Sequence, residues 1–169
     1  MKKVICFVLM LYLFFINVSF VYPQFSENEK YFIKNILPNL STAFWKNANF
    51  FENLNLKLFM RSESYRNMIQ DEAISLRTEV NKIYGDIDSI YFCEDNQLFI
   101  SLLDLLKDKC NMYVKTFNLI LNFNDDTNIV YFMEDLIKML KKITKLQKKE
   151  NFLLRRYNKN IEERLKSTR

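Results

Sequence analysis

The sequence predicts an all-α protein, an antiparallel bundle of about four main helices that follows an N-terminal signal or anchor segment. The 169 residues include one glycine and two prolines, and no Asn-Gly or Asp-Gly pair of the kind that closes β-hairpins is present. Apolar residues recur at spacings of three and four, which is typical of amphipathic helices. Because 49% of the residues are hydrophobic, residues 23–169 can bury one core and should form one domain.

The N-terminal segment has the layout of a secretory signal peptide. Two lysines precede an apolar run from Val4 to about Ile16. If the polar residues after Ile16 are tolerated, the run extends to Tyr22, which is nearly long enough to span a bilayer. We therefore expect residues 1–22 to be a signal peptide or an uncleaved anchor. The protein should be exported to the cell envelope or outer surface, or alternatively be anchored in the inner membrane and face the periplasm.

Capping residues and helix breakers divide the first half of the domain. Ser26 and Glu29 form a capping-box pattern at the start of a short helix, which Pro38 is expected to end. A second helix should then run to about Met60. A third helix should end at Gly85, the only glycine, in the left-handed conformation that glycine adopts after a helix.

Two longer helices are predicted in the second half. The fourth helix should begin near Asp95 and continue through Ile120, because its apolar residues show the most regular spacing of three and four. Asp126 or Thr127 should cap the last helix, which is expected to reach about Leu165. The many aromatic residues at helical spacing are interpreted as core rather than as the lining of a ligand pocket.

The two cysteines after the N-terminal segment are not expected to form a disulfide. If Cys93 and Cys110 flank one helical stretch, they are about 20 to 25 Å apart, well beyond bridging distance. Cys110 is therefore predicted to be a small core residue.

The charge is divided unevenly along the chain. From Leu136 to Arg169 there are twelve lysines and arginines against three acids, whereas residues 23–135 hold eleven against seventeen. An advance of about 100° per residue places the lysines of 138–149 on one side of the last helix, opposite Met139, Leu140, Ile143 and Leu146. Together with two arginines they form a candidate interaction surface, the basic ridge: Lys138, Lys141, Lys142, Lys145, Lys148, Lys149, Arg155 and Arg156.

Three interpretations of the basic ridge remain open. It is a solvated outer face, a surface for an anionic membrane, or a docking site for an acidic host or vector protein or glycan. Nucleic acid is not expected as a partner, because no aromatic stacking platform interleaves the charges. The apolar pattern is interrupted at 147–151, which suggests the hypothesis that the end of the helix leaves the bundle as a contact arm.

The residue types of catalytic and metal sites are scarce. Histidine is absent, so the commonest general base and metal ligand is missing. A single glycine does not suffice for a phosphate-binding loop. The neighbouring carboxylates at 86/88, 94/95, 125/126 and 134/135 are interpreted as helix-start or loop acids. We expect no enzyme activity, no cofactor and no bound metal.

The start "MKKVICFVLMLYLFF", the bias toward Asn, Lys, Ile and Phe, and the small helical body resemble exported proteins of Borrelia-type spirochaetes. In size and charge the chain is similar to the family of borrelial proteins for persistence in ticks. That resemblance implies a non-enzymatic virulence factor at the envelope, although no cysteine for lipidation ends the apolar run. The chain also resembles small secreted helical bundles of apicomplexan parasites. The alternative expectation is a scaffold subunit of an envelope complex, anchored by its N-terminal segment.

Overall fold

The structure, a computed structural model, describes residues 25–91 and 96–166, with side chains to residue 163. This part of the chain is made of helices joined by short connections and contains no strand, which confirms the predicted all-α class. The expected signal or anchor segment, Cys93 and the acids at 94 and 95 lie outside the described residues. The elements are α1 Glu27–Tyr31, a π-helical turn Phe32–Ile36, α2 Leu37–Asn53, α3 Leu56–Arg61, α4 Glu63–Tyr91, α5 Gln97–Leu121 and α6 Ile129–Lys166.

Helix α5 lies at the centre of the bundle, with α4 and α6 as its main neighbours. Helices α4 and α5 are antiparallel, because Asp88 near the end of α4 pairs with Lys107, while Arg77 donates to Asn118 farther along α5. Helices α5 and α6 are antiparallel too. Helix α2 runs parallel to α5, so that Phe44 contacts Tyr113 and Phe50 contacts Phe117.

Pro38 does not end the first helix, contrary to the prediction. The chain passes from α1 through the π-helical turn Phe32–Ile36 directly into α2, where Pro38 occupies the second position. A proline inside a helix lacks the backbone N–H and crowds the carbonyl four residues earlier. The wider turn immediately before α2 accommodates this conflict, and the Thr42 hydroxyl donates to the Pro38 carbonyl.

The predicted second helix is divided where a single helix to Met60 was expected. Helix α2 ends at Asn53, and Asn55 caps the short α3 by accepting from the Leu58 amide. Two more caps differ from the prediction by a residue or two, since Asn96 caps α5 and Asn128 caps α6. All three caps are asparagines, whose side-chain oxygen satisfies free amides at a helix start. The capping box of Ser26 and Glu29 is confirmed.

Gly85 is an exposed residue inside α4 and not a helix terminus, contrary to the prediction. Its φ is not positive, and α4 continues to Tyr91. The residues after Gly85 continue the helical spacing of the buried residues, because Ile87 is fully buried. The prediction failed because glycine often follows the last residue of a helix in the left-handed conformation. Gly85 does not adopt that conformation here, although glycine can do so readily.

Gly85→Ala should stabilise the protein. A β-carbon at this position meets no atom within 4 Å, and alanine is favoured over glycine in a helix interior by about 0.5 to 1 kcal/mol. We expect the free energy of unfolding in urea to rise by that amount with an unchanged m-value. Ser89→Ala in the same helix is a suitable comparison, and a loss of stability in Gly85→Ala would show that the helix does not continue through residue 85.

The core is built largely of aromatic side chains, as the helical spacing predicted. Phe99 and Phe117 of α5 are fully buried, and rings of the π-helical turn, α2 and α6 pack against them. Cys110 is buried, as predicted for a small core residue. Within residues 25–91 and 96–166, no helix is long and apolar enough to cross a membrane.

Candidate interaction face on helix α6

Helix α6 turns one narrow side toward α5. Leu136, Ile143, Glu150 and Tyr157 recur every seven residues, two helical turns, along its buried seam. Of the four apolar residues predicted to face the core at 139–146, only Ile143 is buried, and the others are partly exposed. The seam is narrow because α5 is the main neighbour of α6, so most of the circumference of α6 faces solvent.

The structure brings the whole basic ridge together on the solvent side of α6. All eight of its side chains are exposed, and they extend for about 27 Å along the axis at 1.5 Å per residue. A shallow depression of about 470 Å³ lies on this side. It is lined by Glu134, Ile137, Lys138, Lys141, Lys142 and Lys145.

Glu150, the one acid within residues 138–160, faces inward. Its side chain is buried with 6% exposure, and its Oε2 lies 2.5 Å from the Nζ of Lys109 on α5. The Lys109 ammonium also donates to Gln147, one turn earlier on α6. The basic ridge therefore carries no acid between Lys138 and Arg156, and the only carboxylate in this stretch is neutralised inside the bundle.

Lys109 is held in an apolar environment. The residue has no exposed surface, and its Nζ lies 3.8 Å from the centroid of the Phe44 ring. Burial lowers the pKa of the Lys109 ammonium from its ordinary value, and the charge of Glu150 opposes that shift. Sequence reasoning missed this pair. The available signal was a lysine at a core position of α5, one turn before Tyr113, together with a glutamate in the seam of α6.

The same pair explains the interruption of the apolar pattern at 147–151. The hypothesis that the end of α6 leaves the bundle is wrong, because the helix is continuous to Lys166 and its residues Leu154, Tyr157 and Ile161 are buried. Gln147 and Glu150 occupy seam positions and bind Lys109 there. The polar residues are thus part of the packing between α5 and α6.

A second buried polar group fixes the C-terminal half of α6. The Tyr157 hydroxyl donates to Oε1 of Glu29 at 2.7 Å, and the amide of Asn96 donates to the same oxygen at 2.9 Å. The other carboxylate oxygen of Glu29 accepts from the Ser26 amide in the capping box. Since Glu29 has 1% exposure, these charge-assisted bonds connect α1, the start of α5 and α6.

Cys110 should make the protein sensitive to alkaline pH. Burial raises the pKa of its thiol from 9.0 to about 12. Above pH 9 the unfolded chain therefore loses this proton while the folded protein keeps it, so stability falls as pH rises from 9 toward 12. Between pH 8 and pH 10 the thiol should lower the free energy of unfolding by about 1.4 kcal/mol.

Cys110→Ala provides the comparison for this prediction. The variant should be somewhat less stable at pH 8, because a buried sulfur is lost. Its free energy of unfolding should then decline less than that of the wild type between pH 8 and pH 10. Equal declines in urea titrations at the two pH values would contradict a buried, protonated thiol.

Two of the neighbouring carboxylates pair with basic side chains in the structure. Asp88 lies inside α4, where a helix start or loop was predicted, and pairs with Lys107 at 2.5 Å. Asp125, in the loop before α6, pairs with Arg66 at 2.7 Å. Among the residues that the structure describes, no three His, Cys, Asp or Glu side chains are grouped so that they could hold a metal ion.

Comparison with protein-family models, with curated proteins and with solved structures finds no match to this chain. A proposal for its function therefore rests on the residues of the chain itself.

Proposed function

We propose that this is an exported, non-enzymatic protein of a microbial envelope or surface, which contributes to persistence in or interaction with a host or arthropod vector. The basic start and apolar run of residues 1–22 support export. The start "MKKVICFVLMLYLFF" and the residue bias, which resemble those of exported spirochaetal proteins, suggest the role at a host or vector. In this proposal the protein acts by contact, through the basic ridge of α6 and an acidic partner.

The observation that carries the proposal is the exposed, acid-free basic ridge. On the surfaces of most proteins lysines are interspersed with acids, so that no large area carries charge of one sign only. Here the single acid of the stretch, Glu150, is buried against Lys109, while the eight cations are exposed. Such a surface attracts acidic partners and accelerates their encounter.

Protease accessibility of a C-terminally tagged copy in intact cells tests this function. The tag follows α6, so external protease should digest it if the basic ridge faces the outside of the cell. A periplasmic protein with the same tag should stay intact until the outer envelope is broken. If the tag on this protein also survives in intact cells, the proposed contact with a host or vector is wrong, and a retained Met1 in the purified protein would favour the anchored scaffold subunit.

A further inference from the structure

The lysines of residues 138–149 form a dense, linear array of positive charge on α6. Residues 138–149 present six exposed lysines within about 16 Å of helix, at 1.5 Å per residue. No hydrogen bond or ion pair to an acid within the described chain involves any of these six side chains. Near an anionic bilayer, each lysine strengthens attraction about fivefold.

Two large apolar side chains lie on the same solvent side as the lysines. Ile137 is 46% exposed and Phe152 is 60% exposed, and they flank the lysines at a separation of about 22 Å along the axis. An advance of about 100° per residue places both within the angular range of the basic ridge. The same side of the helix therefore offers charge attraction to anionic headgroups and, at both ends of the cationic stretch, apolar surface that a bilayer can bury, the two contributions on which membrane-surface binding depends.

The apolar residues that would enter a membrane are distinct from those that hold the bundle. Leu136, Ile143 and Tyr157 remain buried against α5, so binding requires no unfolding of the seam. Ile137 and Phe152 already face solvent. A lipid-binding surface and an intact core are compatible on this helix because the seam occupies only one narrow side.

The shape of the surface favours a flat partner. The depression on α6 is formed by residues of one helix face, and the stems of four lysines form much of its wall. No second element encloses it, as a groove for a peptide would require. Lysine stems can cover apolar lipid while their ammonium groups reach the phosphates. A sulfated glycan would satisfy the charges but would leave Phe152 in water.

We infer that the basic ridge binds the surface of an anionic phospholipid bilayer, with Ile137 and Phe152 in the headgroup region. This inference rests on the proposed function, since it names the partner of the same face. The lysines supply attraction that salt weakens, and the two apolar side chains supply a contribution that salt does not remove.

Binding of the purified full-length chain to vesicles tests the inference. Vesicles of phosphatidylcholine with about 30% phosphatidylserine are compared with vesicles of phosphatidylcholine alone. The ratio of the two partition coefficients cancels the apolar contribution of the N-terminal segment, and the contribution of its two lysines is the same in every variant. Lys141→Gln, Lys145→Gln and Lys148→Gln together should lower this ratio about 100-fold. The matched control removes three exposed lysines from other helices and should change it little: Lys57→Gln, Lys82→Gln and Lys115→Gln.

Tryptophan fluorescence reports which face touches the lipid. Trp45 is the only tryptophan and is 51% exposed on α2, so it serves as a probe away from α6. In a Trp45→Phe, Phe152→Trp variant, the fluorescence at position 152 should shift to the blue and be quenched by brominated anionic lipid. Trp45 in the native chain should not be quenched.

The outcomes separate this inference from the proposed function. If the two triple variants bind equally, or if a tryptophan at 152 is not quenched, the ridge does not bind lipid, whatever the tag experiment gives. Salt-sensitive binding to heparin without binding to the vesicles would also overturn the inference and indicate a glycan. Vesicle binding by the ridge together with a protected tag would support the lipid surface while contradicting contact with a host or vector.

Discussion

Glu150→Leu should lower the free energy of unfolding by about 3 to 5 kcal/mol, because the buried Lys109 side chain must then either keep its charge without a partner or give up its proton. The Lys109 side chain is fully buried, and among the described residues it would keep its hydrogen bond to Gln147 and its contact with the face of the Phe44 ring. Urea denaturation at pH 7 measures the loss. Glu134→Leu removes an exposed carboxylate from the same helix and should change stability by about 0.5 kcal/mol or less.

The pH dependence of the Glu150→Leu variant identifies the cause of its loss. Without Glu150, burial should leave Lys109 neutral in the folded protein but protonated in the unfolded chain. The unfolded state then binds one more proton, so the variant should regain about 1.4 kcal/mol per pH unit between pH 7 and pH 9. If the loss of stability does not change with pH, altered packing accounts for it, rather than the Lys109 side chain without its partner.

Removing both partners distinguishes the strength of the pair from the cost of breaking it. A Lys109→Met, Glu150→Leu double variant should be within about 1 kcal/mol of the wild type, since apolar residues of similar size often replace a buried ion pair without loss. If the double variant is as unstable as the sum of the two single variants, the residues do not act as a pair.

Phe99→Ala should cost about 3 to 5 kcal/mol, as expected for a large side chain removed from a close-packed core. Phe99 has no exposed surface. Its ring meets Phe32 edge-on at 5.3 Å and stacks on Tyr157 at 5.7 Å, so its loss loosens α5 from both the π-helical turn and α6. Domains are usually stable by about 5 to 15 kcal/mol, so a domain at the low end of that range would be left with a substantial unfolded fraction at 37 °C.

Phe152→Ala provides the matched control, because the same atoms are removed from a side chain that is 60% exposed. It should change the free energy of unfolding by about 0.5 kcal/mol or less. Hydrogen exchange adds a second measurement, since Phe99→Ala should accelerate exchange in the C-terminal half of α6 more than in α4. Equal destabilisation by the two phenylalanine variants would contradict the burial of Phe99.

The helices could be predicted from the sequence because the apolar residues on the buried side of each one recur at spacings of three and four. The errors fall at single residues whose local preference was outweighed by packing. Pro38 was expected to break a helix, but the wider turn before it absorbs the clash. Gly85 was expected to end one, but buried residues on both sides of it, including Ile83 and Ile87, keep α4 helical.

The candidate site could be predicted only in part. The positions of the basic ridge follow from the helical period, and the structure places all eight side chains in solvent. The inward orientation of Glu150 could not be predicted in the same way, because its partner Lys109 lies 41 residues away. Likewise, Tyr157 and Glu29 are separated by 128 residues. Such contacts depend on which helices are neighbours, and the period of one helix carries no information about its neighbour.

The uneven charge of α4 and α6 should give the molecule an electric dipole. Helix α4 carries six acids and three basic residues. Helices α4 and α6 both pack along α5, and the only carboxylate of α6 between Lys138 and Arg156 is buried in an ion pair. A dipolar particle experiences a torque near a charged surface within a Debye length, about 8 Å at physiological salt. The protein should therefore rotate before contact and approach an anionic surface with α6 first, so that most encounters begin in a productive orientation.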